Sequence, residues 1–395
     1  MCVSATLFAG DWPHWRGPNY DGISAETDWD PKALNTPDIA WKAEVGTGFS
    51  SISVANGKVY TMGNVDKKTD VVYCIDALTG EEKWRHEYAE PLDPKYYEGG
   101  CSATPTVHDG KVYILSKKGV AFCLNADTGD IVWEKTLDFK LPSWGFSGSV
   151  LILDDLAIYN VGSAGLALNK ATGDVVWQSE NDVAGYATPV PFKQDGKDCV
   201  CMFAKDTVMG IEAKTGTVLW TYPWKTKYDV NAADPIISGN EVFITSGYNH
   251  GAALVKVTGS TAEKVWENKN MRSQMSGPVL IDGYLYGFDD NELVCLDWKT
   301  GEQKWVEKTP KKGSLSAAGD KLIVIGEKGK LFIVQATAEG YQEISSAQVL
   351  EHLCWTMPVL ANERIYVRDS KKGKPNNLIC VDVQKKKNHQ SSMQP

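Results

Sequence analysis

The 395-residue sequence lacks long apolar runs and has fewer basic than acidic residues. No apolar run reaches the roughly eighteen residues that a membrane-spanning helix needs, so no transmembrane helix is predicted. Lys and Arg number 41 and Asp and Glu number 50, which gives a net charge of −9. This balance argues against a general nucleic-acid or anionic-membrane surface.

Motifs of several enzyme classes are also missing. There is no GxSxG, no Walker phosphate loop, and no GxGxxG that leads into a helix. The six histidines show no metal-ligand spacing, so no metal site is predicted. Four of the nine cysteines hold one repeated strand position, which predicts small buried core residues rather than a disulfide framework. These four are Cys74, Cys123, Cys295 and Cys380.

What the sequence does contain is a repeat, clearest in VCLDWKTGEQKW from Val294 to Trp305. Each copy has an alternating apolar strand, a tight Thr-Gly turn in which Gly supplies a positive φ, and a strand closing on Trp. A period of about 40–50 residues with paired strands is typical of a β-propeller. The closing tryptophans are expected to wedge neighbouring sheets apart at one height. They are Trp41, Trp84, Trp133, Trp177, Trp220, Trp266 and Trp305.

Counting the strand openings predicts an all-β fold, an eight-bladed β-propeller of four-stranded antiparallel blades, with seven blades as the alternative. In the weak seventh copy Ile344 is expected to stand where the other copies have Trp. The segment Ile39–Gly46 has a closing strand without its hairpin, and Asn377–Gln384 has the strand that precedes one. We therefore predict that the N-terminal strand completes the last blade and closes the ring.

The sequence divides into three predicted regions. Residues 1–37 are interpreted as a signal remnant and an irregular lead-in, residues 38–384 as the propeller, and residues 385–395 as a disordered basic tail. The lead-in, residues 11–37, is rich in Pro, Gly, Asn and Asp, and its Trp12, Trp15 and Trp29 predict packing onto the body. The start, MCVSATLFAG, is like the end of a secretory signal, which predicts a periplasmic or otherwise exported protein.

A candidate ligand site follows from the propeller geometry. The first strand of each blade lines the channel, and the residues just before these strands differ between blades. A mouth lined by aromatic rings and a few polar groups is typical of a ligand pocket, with a water-filled mouth as the alternative. The predicted ligand-binding residues are Phe49, Cys101, Trp144, Tyr186, Asn231, Gln274 and Trp355. If exposed, Cys101 and Cys354 would be reactive thiols.

The longest connection between blades is predicted to run from Arg85 to Gly100. It carries Tyr88, Tyr96 and Tyr97 among Pro and Gly residues. Such a loop is expected to cover the channel mouth or to present a tyrosine patch to a partner, with a packed surface loop as the alternative.

The repeat, a strand followed by A-x-T-G-x-x-x-W, resembles the PQQ-type repeat from Ile39 to Gln384. This resemblance implies the quinoprotein alcohol dehydrogenase-like superfamily, which contains pyrroloquinoline-quinone (PQQ) enzymes and cofactor-free BamB-type scaffolds. The segment Trp12–Gly22 is similar to the start of exported PQQ-like propeller proteins. Quinone enzymes of this kind carry an adjacent cysteine pair and a recognisable calcium-ligand context, and quinohaemoproteins carry C-x-x-C-H. None of these occurs here.

The leading hypothesis is therefore an exported PQQ-like propeller that acts as a binding or protein-interaction scaffold with no evident cofactor. Its partner would be a protein, a small molecule or a carbohydrate, and Trp144, Tyr186 and Trp355 are the expected carbohydrate contacts. The alternative is a PQQ- and calcium-dependent alcohol or polyol dehydrogenase with a divergent site in the central channel. Whether the protein is an enzyme stays open, and no catalytic residue is assigned.

Overall fold

A computed structural model describes residues 10–371 and 373–386 of the protein. Across these residues the fold is all-β, with eight four-stranded antiparallel blades in a ring and one short 3₁₀ helix, Ala33–Asn35. This confirms the predicted architecture and rules out the seven-bladed alternative.

Each blade contains four consecutive strands, except that the last blade takes its outer strand from the N-terminus. Blade one contains β3 Ser53–Ala55, β4 Lys58–Val65, β5 Thr69–Asp76 and β6 Glu82–Ala89, and blade two contains β7 Thr106–His108, β8 Lys111–Leu115, β9 Val120–Asn125 and β10 Ile131–Thr136. Blade three contains β11 Leu151–Leu153, β12 Leu156–Tyr159, β13 Leu166–Asn169 and β14 Val175–Gln178, and blade four contains β15 Val190–Gln194, β16 Lys197–Phe203, β17 Thr207–Glu212 and β18 Val218–Pro223. Blade five contains β19 Ile236–Ser238, β20 Glu241–Ser246, β21 Gly251–Thr258 and β22 Thr261–Asn268, and blade six contains β23 Val279–Ile281, β24 Tyr284–Asp289, β25 Glu292–Asp297 and β26 Gln303–Glu307. Blade seven contains β27 Gly313–Ala318, β28 Lys321–Gly326, β29 Lys330–Gln335 and β30 Glu343–Gln348, and blade eight contains β31 Val359–Ala361, β32 Arg364–Arg368, β33 Asn377–Asp382 and β2 Asp38–Glu44. Strand β1, Ile23–Ser24, adds to blade seven in parallel with β27.

The N-terminal strand closes the ring, as predicted. Strand β2 pairs antiparallel with β33, and Trp41 lies opposite Cys380. The indole N–H of Trp41 then donates to the carbonyl of Ala77 in blade one, 3.0 Å away. Strands from the two ends of the chain therefore share one sheet, which leaves no open blade between the eighth and the first.

The antiparallel topology gives the wheel two different faces. The turns between first and second strands and between third and fourth strands lie on one side, which we call the turn face. The connections between blades and between second and third strands lie on the opposite side, the loop face. The first strands of neighbouring blades contact each other, which places them innermost, around the channel.

The closing tryptophans join neighbouring blades by a repeated contact. The indole N–H of Trp84 in blade one donates to the Ala126 carbonyl in blade two at 3.1 Å. The same ring lies on the turn glycine of blade two, where a Cβ on Gly129 would come within 2.6 Å of it. Gly129 has φ +79°, so this glycine is required by the turn and by the ring of the preceding blade.

The seam between blades seven and eight is built differently. Here the residue in register with the other closing tryptophans is Ser345, which lies opposite Ile333. The sequence-based placement of this position at Ile344 was wrong by one residue, because the longer turn of blade seven, residues 336–342, shifts the bulge that precedes the tryptophan position. Trp29 of the lead-in is buried in this seam instead, and the Ser345 hydroxyl donates to the Pro31 carbonyl at 2.6 Å.

The repeated cysteines are buried and free, as expected. Cys74, Cys123, Cys295 and Cys380 each lie opposite a closing tryptophan on the neighbouring strand. All eight cysteines in the described part of the chain are free. Cys2 and His389 lie outside the described residues.

Candidate functional site at the two ends of the channel

A ladder of side-chain oxygens joins the inner strands around part of the channel. The amide of Thr104 donates to the Ser149 hydroxyl at 2.9 Å, and the amide of Ser149 donates to the Thr188 hydroxyl at 3.0 Å. The amide of Thr188 in turn donates to the Asp234 carboxylate at 2.7 Å. Each of these residues just precedes the first strand of its blade, so a short polar side chain at this position links one blade to the next.

The lead-in closes the channel on the turn face. It pairs with inner strands through its backbone: the amide of Val107 donates to the Pro13 carbonyl, and the amide of Ala317 donates to the Gly22 carbonyl. Trp12 bridges to Val54 and is 1% exposed. The predicted packing of the three lead-in tryptophans onto the body is therefore confirmed: Trp12 and Trp29 are buried, and Trp15 packs partly buried against the core.

The side chain of Arg16 extends from the lead-in into the channel. Its guanidinium is buried, donates to the Pro278 and Asp21 carbonyls at 2.8 Å, and lies 4.0 Å from the carboxylate of Asp234. The Trp15 indole N–H donates to the same carboxylate. Burial raises the pKa of Asp234, and the nearby Arg16 opposes that rise. Nη1 of Arg16 has no hydrogen-bond partner, and a Cβ on Gly277 would lie 2.5 Å from it.

His14 anchors the same segment as a neutral ring. It stacks on Tyr20 with centroids 4.0 Å apart and planes 15° apart. Burial lowers the pKa of His14 from 6.5 to about 4, although its hydrogen bond with the Trp15 carbonyl opposes the change. The stacked histidine is therefore uncharged at neutral pH.

On the loop face, aromatic rings pack across the channel mouth. The Phe49 ring lies between Trp355, with centroids 5.1 Å apart, and Tyr97, with centroids 5.7 Å apart. Tyr97 comes from the long connection between blades one and two, which therefore reaches the mouth. The side chain of Phe49 therefore occupies the space at the mouth between blades one and eight.

Two lysines flank this row of rings, Lys312 half-buried and Lys117 buried. Nζ of Lys312 lies 5.3 Å from the Trp355 centroid and donates to the Gln274 side-chain carbonyl. Nζ of Lys117 lies 5.7 Å from the Tyr97 centroid and 3.8 Å from the Asp93 carboxylate. Burial lowers the pKa of both lysines. The predicted ligand-binding residues include neither lysine. Lys312 precedes the first strand of its blade, whereas Lys117 lies between the second and third strands, a position that the alignment of strand openings does not cover.

The remaining predicted site residues fall into two groups. Trp144 and Tyr186 meet in a T-shaped contact with centroids 5.9 Å apart, and Gln274 accepts from Lys312. Asn231 is fully buried instead, where its amide donates to the Ala204 and Lys205 carbonyls and joins blades four and five.

Cys101 and Cys354 are buried as well, 1% and 0% exposed. Burial raises the pKa of both thiols. The condition for thiol reactivity, exposure at the mouth, is therefore not met.

The connection between blades one and two begins later than predicted. Strand β6 continues to Ala89, which pairs with Thr69, so the connection starts at Glu90. Tyr88 thus lies on a strand, packs on Phe122 with centroids 5.0 Å apart, and its hydroxyl donates to Asp70 at 3.4 Å. The second, third and fourth strands of blade one are all longer than those of blade two, because each residue added to one strand pairs with a residue of its neighbour. Tyr96 stays on the loop and is 90% exposed.

Charge is distributed unequally between the two faces. The connections on the turn face carry three basic residues, Lys170, Lys214 and Lys299. Their thirteen acidic residues are Glu81, Asp109, Asp127, Asp130, Asp154, Asp155, Asp174, Asp195, Asp282, Glu302, Asp320, Glu339 and Glu363.

The described connections of the loop face have more basic than acidic residues. Their seventeen basic residues are Lys67, Lys68, Lys95, Lys117, Lys118, Lys140, Lys205, Lys225, Lys227, Lys269, Arg272, Lys308, Lys311, Lys312, Lys328, Lys371 and Lys374. Their fourteen acidic residues are Asp66, Glu90, Asp93, Glu98, Asp138, Glu180, Asp182, Asp206, Asp229, Asp234, Asp290, Glu327, Glu351 and Asp369. The connections of the turn face are therefore acidic, and the described connections of the loop face are mildly basic.

The described residues contain neither a metal-binding cluster nor a membrane-spanning helix. Residues 10–371 and 373–386 contain no group of three or more His, Cys, Asp or Glu side chains placed to hold a metal ion. Within the same residues, no helix has the length and apolarity that a membrane crossing requires.

The repeat pattern and the ring also agree with known proteins. A family profile described as outer membrane protein assembly factor BamB matches residues 67–307. The chain belongs to this family. An outer membrane protein assembly factor BamB from Yersinia pestis is 23% identical over 347 residues, which cover 81% of this chain and 83% of that protein.

Solved structures share the fold at lower identity. BamB from Moraxella catarrhalis superposes with a TM-score of 0.66 at 17% identity, over 90% of this chain and 100% of that one. A europium-containing methanol dehydrogenase superposes with a TM-score of 0.74 at 12% identity, over 95% of this chain and 98% of that one. At these identities the likeness establishes the propeller fold and does not choose between a scaffold and a dehydrogenase.

Proposed function

We propose that the protein is an exported BamB-type scaffold that binds another polypeptide and that it works without a quinone. One observation carries this proposal: the chain's own side chains fill both ends of the channel. Arg16 and Trp15 enter from the turn face, and Phe49 packs between two rings on the loop face. Membership of the BamB family favours the same function.

PQQ, the cofactor that the fold superfamily implies, would have to bind among the residues of the channel mouth. A planar quinone needs an open slot between side chains. Trp355 has Phe49 packed against it at 5.1 Å and the Lys312 ammonium at 5.3 Å from its ring. As arranged, these residues do not fit the cofactor, and no reaction step is assigned to it.

The competing function is a PQQ-dependent alcohol dehydrogenase that uses calcium. The superposition on a europium-containing methanol dehydrogenase favours this alternative at the level of the fold. It requires the rings around Phe49 to move apart when the cofactor binds.

Reconstitution separates the two functions. The purified protein is incubated with PQQ and Ca²⁺ or Eu³⁺, and PQQ binding and dye reduction with methanol and 1-butanol are measured. We expect no saturable PQQ binding and no turnover. Saturable binding with alcohol-dependent dye reduction would overturn the scaffold proposal.

Site-specific photo-crosslinking in the native cell tests the scaffold directly. A photoreactive residue replaces Tyr96, which is 90% exposed on the loop face, or Leu78, which is 65% exposed on the turn face. We expect a discrete polypeptide adduct from position 96 and none from position 78. Equal labelling of both positions, or adducts from neither, would count against a loop-face partner.

Export belongs to the same proposal and has its own measurement. Residues 1–9, which carry the signal-like start, lie outside the described residues. Cell fractionation with mapping of the mature N-terminus is expected to find the protein outside the cytoplasm.

A further inference from the structure

The exposed aromatic side chains of the described residues all lie on one side of the wheel. Tyr96, Tyr228 and Tyr248 are 90%, 48% and 38% exposed, and each belongs to a loop-face connection. Leu141, 46% exposed, lies on the same face. Aromatic side chains that remain exposed beside polar groups are typical of protein interaction sites.

On this face, ammonium groups lie against aromatic rings at three places. Lys312 covers Trp355, Lys117 covers Tyr97, and Lys227 covers Tyr228 with Nζ 5.1 Å from the ring centroid. The row Lys312–Trp355–Phe49–Tyr97–Lys117 is continuous across the channel mouth. A second group, Lys227 with Tyr228 and Tyr248, repeats the pairing on blades four and five, where the two tyrosine rings meet at 5.1 Å.

Lys312 is the lysine of this row without an ion pair, although the carboxylates of Glu327 and Asp290 act on it from a longer distance. No carboxylate of the described residues lies within 4.0 Å of its Nζ, which is bound to the neutral Gln274 side chain, whereas Lys117 has Asp93 at 3.8 Å. A half-buried ammonium that lacks a carboxylate favours an anionic group brought by a ligand.

From these observations we infer that the loop face binds an extended acidic polypeptide segment that alternates carboxylates with apolar side chains. The carboxylates would meet Lys312 and Lys227, and the apolar side chains would meet the rings beside them. This inference deepens the proposed scaffold function and rests on it, because it states the chemistry of the bound polypeptide.

Other anionic partners fit the same face less well. A sugar ring needs a free aromatic face, and Trp355 is covered by Lys312 and packed against Phe49. An anionic membrane presents a plane, whereas Lys312 is half-buried and Lys117 is buried at the mouth, which suits a narrow chain. A polysaccharide and an anionic membrane are therefore both included in the test as competitors.

The test uses the full chain and a defined probe. Binding of a fluorescein-labelled peptide, three repeats of Glu-Phe-Asp-Leu, is measured by fluorescence anisotropy beside three repeats of Lys-Phe-Arg-Leu. We expect the acidic peptide to bind and the basic one not to, with an affinity that falls as salt rises. Polygalacturonate and phosphatidylglycerol vesicles are expected not to displace the acidic peptide.

Matched variants localise the binding. Lys312→Gln with Lys227→Gln removes two charges from the loop face and is expected to weaken peptide binding about tenfold. Lys214→Gln with Lys299→Gln removes the same charge from the turn face and is expected to change binding by less than about twofold. Tyr228→Ser probes an exposed ring whose loss leaves the core intact, and it is expected to weaken binding. Circular dichroism confirms that each variant is folded.

Three outcomes would overturn the inference: no binding of the acidic peptide, equal loss in both double variants, or displacement by the polysaccharide or the vesicles. If position 96 still crosslinks to a polypeptide while the acidic peptide fails, the scaffold function stands and only the acidic chemistry is wrong. If PQQ-dependent turnover appears instead, the scaffold function itself fails.

Discussion

Different chain segments join neighbouring blades at two seams of the wheel, the seam between blades one and two and the seam between blades seven and eight. In the first, Trp84 of one blade donates to the Ala126 carbonyl of the next and rests on Gly129. In the second, Ser345 stands in the tryptophan position, and the amide of Asp30 donates to the Val383 carbonyl at 2.7 Å. Val383 occupies the place in its blade that Ala126 occupies in blade two.

The comparison shows that a repeat can lose its key side chain when another segment supplies the ring. Trp29 of the lead-in is 4% exposed in the cluster between blades seven and eight, beside Leu34 of the short helix. A buried indole removes up to roughly 250 Å² from water, so a seam without one would be under-packed. The lead-in therefore completes the propeller as a structural part, besides closing its channel.

Removal of a regular closing tryptophan is expected to have the largest effect. Trp84→Ala should lower the free energy of unfolding by about 3–5 kcal/mol, because it leaves a cavity between two blades and removes one hydrogen bond to the Ala126 carbonyl. Urea denaturation measures this change. A loss below about 1 kcal/mol would mean that the ring does not hold the seam.

Trp29→Ala tests whether the lead-in ring does equivalent work, and about 3 kcal/mol is expected. The sharper test is the cycle with Ser345→Trp. Alone, Ser345→Trp should destabilise by about 1–3 kcal/mol, because the seam is already filled. Combined with Trp29→Ala it should recover part of the loss, since the ring returns to its position in the repeat. Simple additivity of the two changes would show that Trp29 does not replace the missing tryptophan.

Two turn glycines test the contact between a closing tryptophan and the next blade, with a smaller expected effect. Gly129 and Gly259 have φ +79° and +59°, but a Cβ would meet the Trp84 ring at the first and nothing within 4 Å at the second. Gly259→Ala should cost about 1 kcal/mol through the backbone alone. Gly129→Ala should cost about 1–3 kcal/mol more, because the methyl group forces the ring to move. Equal losses of thermal stability in the two variants would show that the ring contact contributes nothing.

The repeated parts of this molecule were predictable because each copy carries the same local signal. The Thr-Gly turn, the alternating strand and the closing Trp gave the blade architecture, and the two incomplete ends gave the closure of Trp41 against Cys380. The error at Ser345 has a local cause: the longer turn before it moves the register without leaving a mark in the pattern.

The site was only partly predictable, because its contacts join segments far apart in sequence. Phe49 and Trp355 were both expected at the mouth, and the structure brings them to 5.1 Å. Arg16 was missed because its partner Asp234 lies more than two hundred residues away, and no periodicity relates the lead-in to the blades. An arginine among the aromatic residues of the segment Trp12–Gly22 was the one sequence signal available.

The smallest expected effect tests how the lead-in is held compared with a blade strand. His14 is neutral in the folded protein, with a pKa of about 4 against 6.5 when unfolded. Because this pKa is depressed, the unfolded state binds a proton first as pH falls, so stability is lost progressively below pH about 6.5. Between pH 7.5 and 5.5 the wild type should lose about 1–1.5 kcal/mol more than His14→Phe, which keeps a ring against Tyr20. Identical pH slopes in the two proteins would show that His14 does not titrate on unfolding.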